Sequence, residues 1–190
     1  MDMDVAAGSE IAGIFPSQLA AAAEILDRAG SAAAVDILAL RGSELIGLAD
    51  PLRRAARAVP PDRQVAVRVL LLDPGSAAAR RRAGELGEPP GSFVTEIRNT
   101  VTEMAGLASE LPRLRLELRC YRQLPVWRMI VIDRIQYVSV LCPADPDNPA
   151  VIYKLRQVPG GALYQGFQQV FDALAAAARP VRPAGMRAGR

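Results

Sequence analysis

Apolar residues along this chain follow two rhythms, recurring every three or four positions in some stretches and running together or alternating in others. Leu19, Ala22, Ala23 and Leu26 keep helical spacing between Phe15-Pro16-Ser17 and Gly30, which predicts a helix with Ser17 as its N-cap. Residues 35–40 are short, apolar and bounded by Gly30-Ser31 and Gly42-Ser43, so they read as a strand. Asp50-Pro51 offers a cap followed by a proline at the first helical position, and the helix runs toward Ala58 before Pro60-Pro61 stops it. Residues 65–72 are apolar except for Arg68, as in a strand covered on both faces, and Asp73-Pro74-Gly75-Ser76 turns the chain.

Further on, a charged helix over residues 77–86 precedes the loop Glu88-Pro89-Pro90-Gly91. Ile97, Val101, Met104, Ala108 and Leu111 then step by four and three, predicting a helix that lays one face on a sheet. Leu114, Leu116, Leu118 and Cys120 alternate with Arg115, Glu117 and Arg119, the period of a half-exposed strand. Residues 129–132 and 136–141 read as two strands joined by a tight turn at Asp133-Arg134, and 151–157 as another after the loop at 143–149. A last helix opens at Pro159-Gly160-Gly161 and carries Leu163, Phe167, Val170, Phe171 and Leu174 on one face, the spacing of core packing. Strands alternate with helices early and cluster late. The pattern predicts a single three-layer α/β domain with a mixed β-sheet flanked by helices, over residues 15–178, between an N-terminal extension at 1–14 and a basic Pro/Arg tail at 179–190.

Composition is that of a globular chain, with 51% hydrophobic and 23% charged residues. Of its 23 cationic residues only Lys154 is a lysine, a bias that matches high-GC coding and makes a simple arginine count a poor guide to function. The net charge of +3 includes Arg179, Arg182, Arg187 and Arg190, and removing those 4 leaves the remainder at −1. A basic tail on a neutral body does not by itself steer the chain to nucleic acid. The start, Met1-Asp2-Met3-Asp4, lacks the basic and apolar regions of a secretory signal, and no apolar run reaches membrane-spanning length, so a cytoplasmic protein without membrane insertion is expected. Cys120 and Cys142 sit in apolar runs, as reduced core thiols do.

The largest exclusion comes from a residue that is missing. The chain has no histidine, which removes the usual general base, the phosphohistidine nucleophile and the commonest metal ligand together. No metal and no cofactor are expected, and a cysteine nucleophile would lack its base. Arg80-Arg81-Arg82 point in different directions on a helix with no aromatic interleaved, so they read as a solvated face. Gly160 and Gly161, ahead of a helix, could present backbone N–H groups to an anion or form a simple turn.

Residues 65–76, 114–141 and 151–178 together resemble one half of the phospholipase D superfamily, especially small bacterial domains often attached to helix-turn-helix regulators. The family motif is H-x-K, four residues, D, six residues, G-S, placed on a β-hairpin. Aligned on Asp133, the His position falls on Val126, the Lys position on Arg128, and the Gly-Ser pair on Val140 and Leu141. In active members two motifs meet, one His attacking phosphorus and the other protonating the leaving oxygen, while the Lys and its small polar neighbour hold the phosphate. Val126 can do neither histidine task. Arg128 could still grip a phosphate-containing ligand, with Asp133 as its orienting partner or as a turn residue.

The resemblance therefore implies a catalytically inactive, regulatory phospholipase D-like domain that senses a ligand or engages a protein, as a homo-oligomer. A nucleic-acid or nucleotide binder using Arg128, Arg134 and the tail is the alternative, and residual phosphodiesterase activity a further one. An enzyme of another kind would rest on carboxylates or a cysteine, for which no convergent set is visible.

Overall fold

The computed structural model describes residues 9–42, 47–141 and 150–181. In chain order they form β1 (Ile11–Phe15), α1 (Gln18–Ala29), β2 (Ala34–Leu38), α2 (Ala49–Ala58), β3 (Val65–Leu72) and α3 (Ala77–Glu85). After these come α4 (Pro90–Glu110), β4 (Leu114–Tyr121), β5 (Trp127–Ile132), β6 (Ile135–Val140), β7 (Ile152–Arg156), α5 (Ala162–Ala177) and β8 (Arg179–Pro180). The strands make one eight-stranded open sheet in the order β1-β7-β6-β5-β2-β3-β4-β8. Within it β2, β3 and β4 run parallel, and every other pairing is antiparallel.

This mixed sheet has helices on both faces, as the periodicity implies. Tyr137 and Gln136 are neighbours on β6 and so point to opposite faces. The Tyr137 hydroxyl donates to Glu24 of α1 at 2.7 Å, whereas the Gln136 amide donates to the Tyr164 carbonyl of α5 at 3.2 Å. Helices α1 and α5 thus bound the sheet as two outer layers. The interior strand β3 carries the most continuous burial, with Val65, Val67, Val69, Leu71 and Leu72 fully enclosed, as expected of a parallel strand between two helical layers. Ser17 caps α1 by accepting from Ala20 N at 3.2 Å, and Ser76 caps α3 by accepting from Ala79 N at 3.0 Å.

Several expectations need correction. The domain does not begin at residue 15 or stop at 178. Ile11–Phe15 pair with β7, and Arg179–Pro180 pair with Arg119 and Cys120, after which Val181 N donates to Leu118 O at 2.9 Å. Both flanks supply edge strands because β7 and β4 would otherwise leave their ladders open. Asp50 is no N-cap: α2 starts at Ala49, its cap position is Leu48, and the Asp50 carboxylate pairs with Arg53 at 2.9 Å. On α5 the buried line runs through Tyr164 and Phe171, while Leu163 and Val170 are exposed. Arg82 is not part of a solvated face: it is buried on α3 and donates to the Pro125 carbonyl and to Glu85. Cys120 is a half-buried free thiol, pushed up to about 11 by burial with a further contribution from the nearby Asp73 charge, which makes it a poor nucleophile at neutral pH. Cys142, the loop at 143–149 and residues 182–190 lie outside the described residues.

Candidate functional site

The hairpin that carries the motif positions is formed as anticipated, with β5 and β6 joined through Asp133-Arg134. Its geometry nevertheless separates the two polar candidates. Asp133 adopts φ 52, a left-handed conformation that aspartate tolerates better than most residues. Its backbone N donates to Ala34 O at 3.0 Å, and its carboxylate accepts from Ala33 N at 3.1 Å and Ala34 N at 2.9 Å. Asp133 therefore fastens the turn to the start of β2. Arg128 lies at the other end of β5, so the expectation that Asp133 orients it or shares a ligand with it does not hold.

Arg128 is half-buried and donates to Gln18 Oε1 of α1 at 3.4 Å. It pairs across the hairpin with Ser139, and the two residues border a cavity of about 20 Å³ with Gln18 and Tyr137, the size of a single water molecule. The hydroxyl beside Arg128 is thus Ser139 and not the Val140–Leu141 pair reached by counting. A two-residue turn at 133–134 dictates that register, and the sequence carried the signal. Val126, at the histidine position, is 52% exposed and accepts from Leu141 N at 2.7 Å. Those two motif positions form an apolar pair.

Gly160 and Gly161 do not form a free anion site. Gly160 turns the chain with φ 73, and Gly161 N donates to Val158 O at 3.1 Å. The N-terminus of α5 is occupied by the chain's own anion: the Glu10 carboxylate accepts from Leu163 N at 3.0 Å and Tyr164 N at 2.7 Å. A Cβ on Gly161 would approach Glu10 Oε1 to 2.4 Å, so glycine is required for this seat. Glu10→Ala is expected to destabilise the fold by about 1–2 kcal/mol through loss of a charged helix cap, read as a lower urea midpoint with unchanged slope. A midpoint equal to that of the unsubstituted chain would show the cap to be dispensable.

Beside the small cavity lies a polar cluster that periodicity did not reveal. Glu24 Oε1 accepts from Arg28 Nε at 2.8 Å, from the Tyr137 hydroxyl at 2.7 Å and from Lys154 Nζ at 2.5 Å. Burial alone would raise its pKa, but the hydrogen bonds from Lys154, Tyr137 and Arg28 outweigh it and hold the carboxyl at about 2. The Tyr137 hydroxyl is pushed up, first by burial and then by its bond to Glu24. The chain's single lysine is therefore an internal partner of α1.

A larger cleft of about 170 Å³ opens on the other side of the hairpin. Leu38 ends β2, Tyr121 ends β4, and Trp127 begins β5. With Val126, Val170 and Leu174 they make a largely apolar wall that Gln123 borders. The Trp127 ring meets Phe167 edge-on with centroids 5.0 Å apart. The Tyr121 hydroxyl donates to Ala39 O at 3.0 Å. Among the described residues no group of three or more Cys, Asp or Glu is placed to hold a metal ion, and no helix is long and apolar enough to cross a membrane.

These features define one mixed α/β domain with an eight-stranded open sheet, a small cavity at Arg128 and Ser139 and a larger apolar cleft at Trp127. No family model matches the sequence, and no curated protein does. Among solved structures, the chain is similar to TrmBL2, an archaeal chromatin protein whose structure shows a novel mode of DNA binding. That likeness has 16% identity and a TM-score of 0.54, over 93% of this chain and 57% of that one. NucT from Helicobacter pylori is also similar, with 10% identity and a TM-score of 0.48 over 89% of this chain and 98% of that one. The chain spans a little over half the length of TrmBL2, and at such identities the likeness is one of fold.

Proposed function

We propose that this chain is a phospholipase D-like domain without phosphodiesterase turnover, acting as a regulatory module that senses a ligand and works as a homodimer. The observation that carries the reading is the hairpin itself. Its histidine position holds an exposed Val126, its aspartate is engaged with Ala33 and Ala34, and its gripping cation, Arg128, is tied to Gln18. The chain has no histidine to attack phosphorus or to protonate a leaving oxygen, which supports loss of the two-histidine chemistry that the resemblance implies. Incubation of the purified chain with bis(p-nitrophenyl) phosphate in the presence of a chelator is expected to release no nitrophenol above background. Metal-independent release that Arg128→Ala abolishes, with the circular dichroism spectrum retained, would overturn the reading.

A second reading is favoured by the likeness to a DNA-binding chromatin protein and by Arg134, exposed at the hairpin turn. In it the domain contacts nucleic acid through Arg134 and the basic residues beyond Val181. Anisotropy of a labelled duplex separates the two. Binding through phosphate contacts must weaken steeply with salt, and absence of binding at low salt excludes this second role.

A further inference from the structure

The cleft beside Trp127 has features of a small-molecule site, and of the motif positions only Val126 lies on its wall. Its volume, about 170 Å³, is close to that of buried cavities of about 150 Å³ whose aliphatic and aromatic walls stay dry and take up benzene. Among the described residues no charged side chain lines it, so they offer neither a phosphate nor an ammonium group a counter-charge. Its position is also telling. β2 stands between parallel β3 and antiparallel β5, and the cleft lies past the C-terminal ends of β2 and β4. Open α/β sheets bind ligands in the crevice outside such strand ends, where the direction of connection changes.

Specific groups define what would fit. The Trp127 ring offers a flat aromatic wall held in place by Phe167, and Leu38, Leu174 and Val170 close the sides. At the mouth Val126 is 52% exposed and Val170 37%, apolar surface that water wets at a cost. Gln123 is a hydrogen-bonding side chain on the lining, and its side-chain oxygen accepts from Arg122 N at 3.2 Å, which leaves the amide N–H groups for a ligand. Arg82 braces the wall by donating to the Pro125 carbonyl, one residue before Val126.

We propose that this cleft binds a small neutral ring compound, aromatic or alicyclic, of about the size of benzene to indole and bearing at most one hydrogen-bonding substituent. The proposal rests on the sensing role argued above and names the chemical class of its ligand, one the phosphate-gripping positions would not select.

Trp127 is the single tryptophan of the chain, so its emission reports on this wall alone. The probe is iodobenzene, a contact quencher of indole fluorescence, titrated into the intact chain. Saturable quenching is expected, together with a several-fold weaker midpoint in the Val170→Phe variant, whose larger side chain fills the mouth from the exposed side of α5. Competition by non-quenching cyclohexanol should restore the emission. Strictly linear quenching would overturn the proposal, as would saturable quenching untouched by both Val170→Phe and cyclohexanol. Quenching that appears only on dilution would also overturn it, by assigning the cleft to a second copy of the chain. Failure here would leave the absence of phosphodiester turnover standing, whereas turnover would remove the sensing role without altering the quenching.

Discussion

Phe171→Ala is expected to lower the stability of the domain by about 3–5 kcal/mol, measured by urea unfolding, the cost typical of removing a fully buried aromatic side chain. Phe171 is 0% exposed. The Arg68 guanidinium lies 4.8 Å from the centroid of its ring, and Arg68 is in turn paired with Asp36 of β2 and with Asp172 of α5. Truncation therefore opens a cavity and removes the ring over which this charge network packs. Phe171→Leu, which keeps most of the volume, should cost less than half as much. Because α5 also carries Phe167, Val170 and Leu174 against Trp127, the alanine variant should shift the tryptophan emission in the folded state. A loss below about 1 kcal/mol would mean that the α5 layer is held by other contacts.

The second large effect concerns acid. Glu24 has a folded pKa of about 2 against an ordinary value of 4.5, so its contribution is fully present above about 4.5 and is lost as the pH falls toward 2. The side chain is 30% exposed, and solvent screening reduces the contribution at neutral pH to about 2 kcal/mol. Glu24→Gln should therefore unfold at lower urea at pH 7, leaving Lys154 and Arg28 without their shared negative charge. Its stability should be flatter than that of the unsubstituted chain between pH 4.5 and 2, and the two curves should converge at the acid end. Parallel curves across that range would show that the carboxylate is not the group that titrates with unfolding.

The elements other than β1 and β8 were legible because each is dictated by neighbours in sequence. Ser17 and the helical spacing of Ile97, Val101 and Met104 act within a few residues, and the alternation of β4 reports a strand whichever partners it finds. The hairpin register was equally accessible, since a two-residue turn at Asp133-Arg134 pairs Arg128 with Ser139 without further information. Counting along a family motif led past Ser139 to Val140 and Leu141, two residues that border neither pocket.

Other parts of the site depend on contacts that local pattern does not encode. Glu10 and α5 are about 150 residues apart in sequence, and only the pairing of β1 with β7 brings that carboxylate to the helix N-terminus. Glu24 and Arg28 are four residues apart on α1. Their burial beside Tyr137 and Lys154 follows from the way that helix lies across β6 and β7. Arg82, one of three consecutive arginines, is turned inward because α3 packs beside the segment that leads into β5.

What the sequence determined by itself was most of the inventory and its chemistry: five helices and six of the eight described strands in order, a mixed α/β domain, and no histidine. Those properties are local or additive, so they need no knowledge of the fold. The tertiary structure decided where the remaining polar groups were directed. Asp133 was turned to the backbone of β2, Glu10 to the N-terminus of α5 and Lys154 to Glu24. The residues around Val126 were left to line an apolar cleft at the ends of β2 and β4. These outcomes depend on which distant strands become neighbours, a choice made by burial of the whole sheet and recorded in no single segment of the chain.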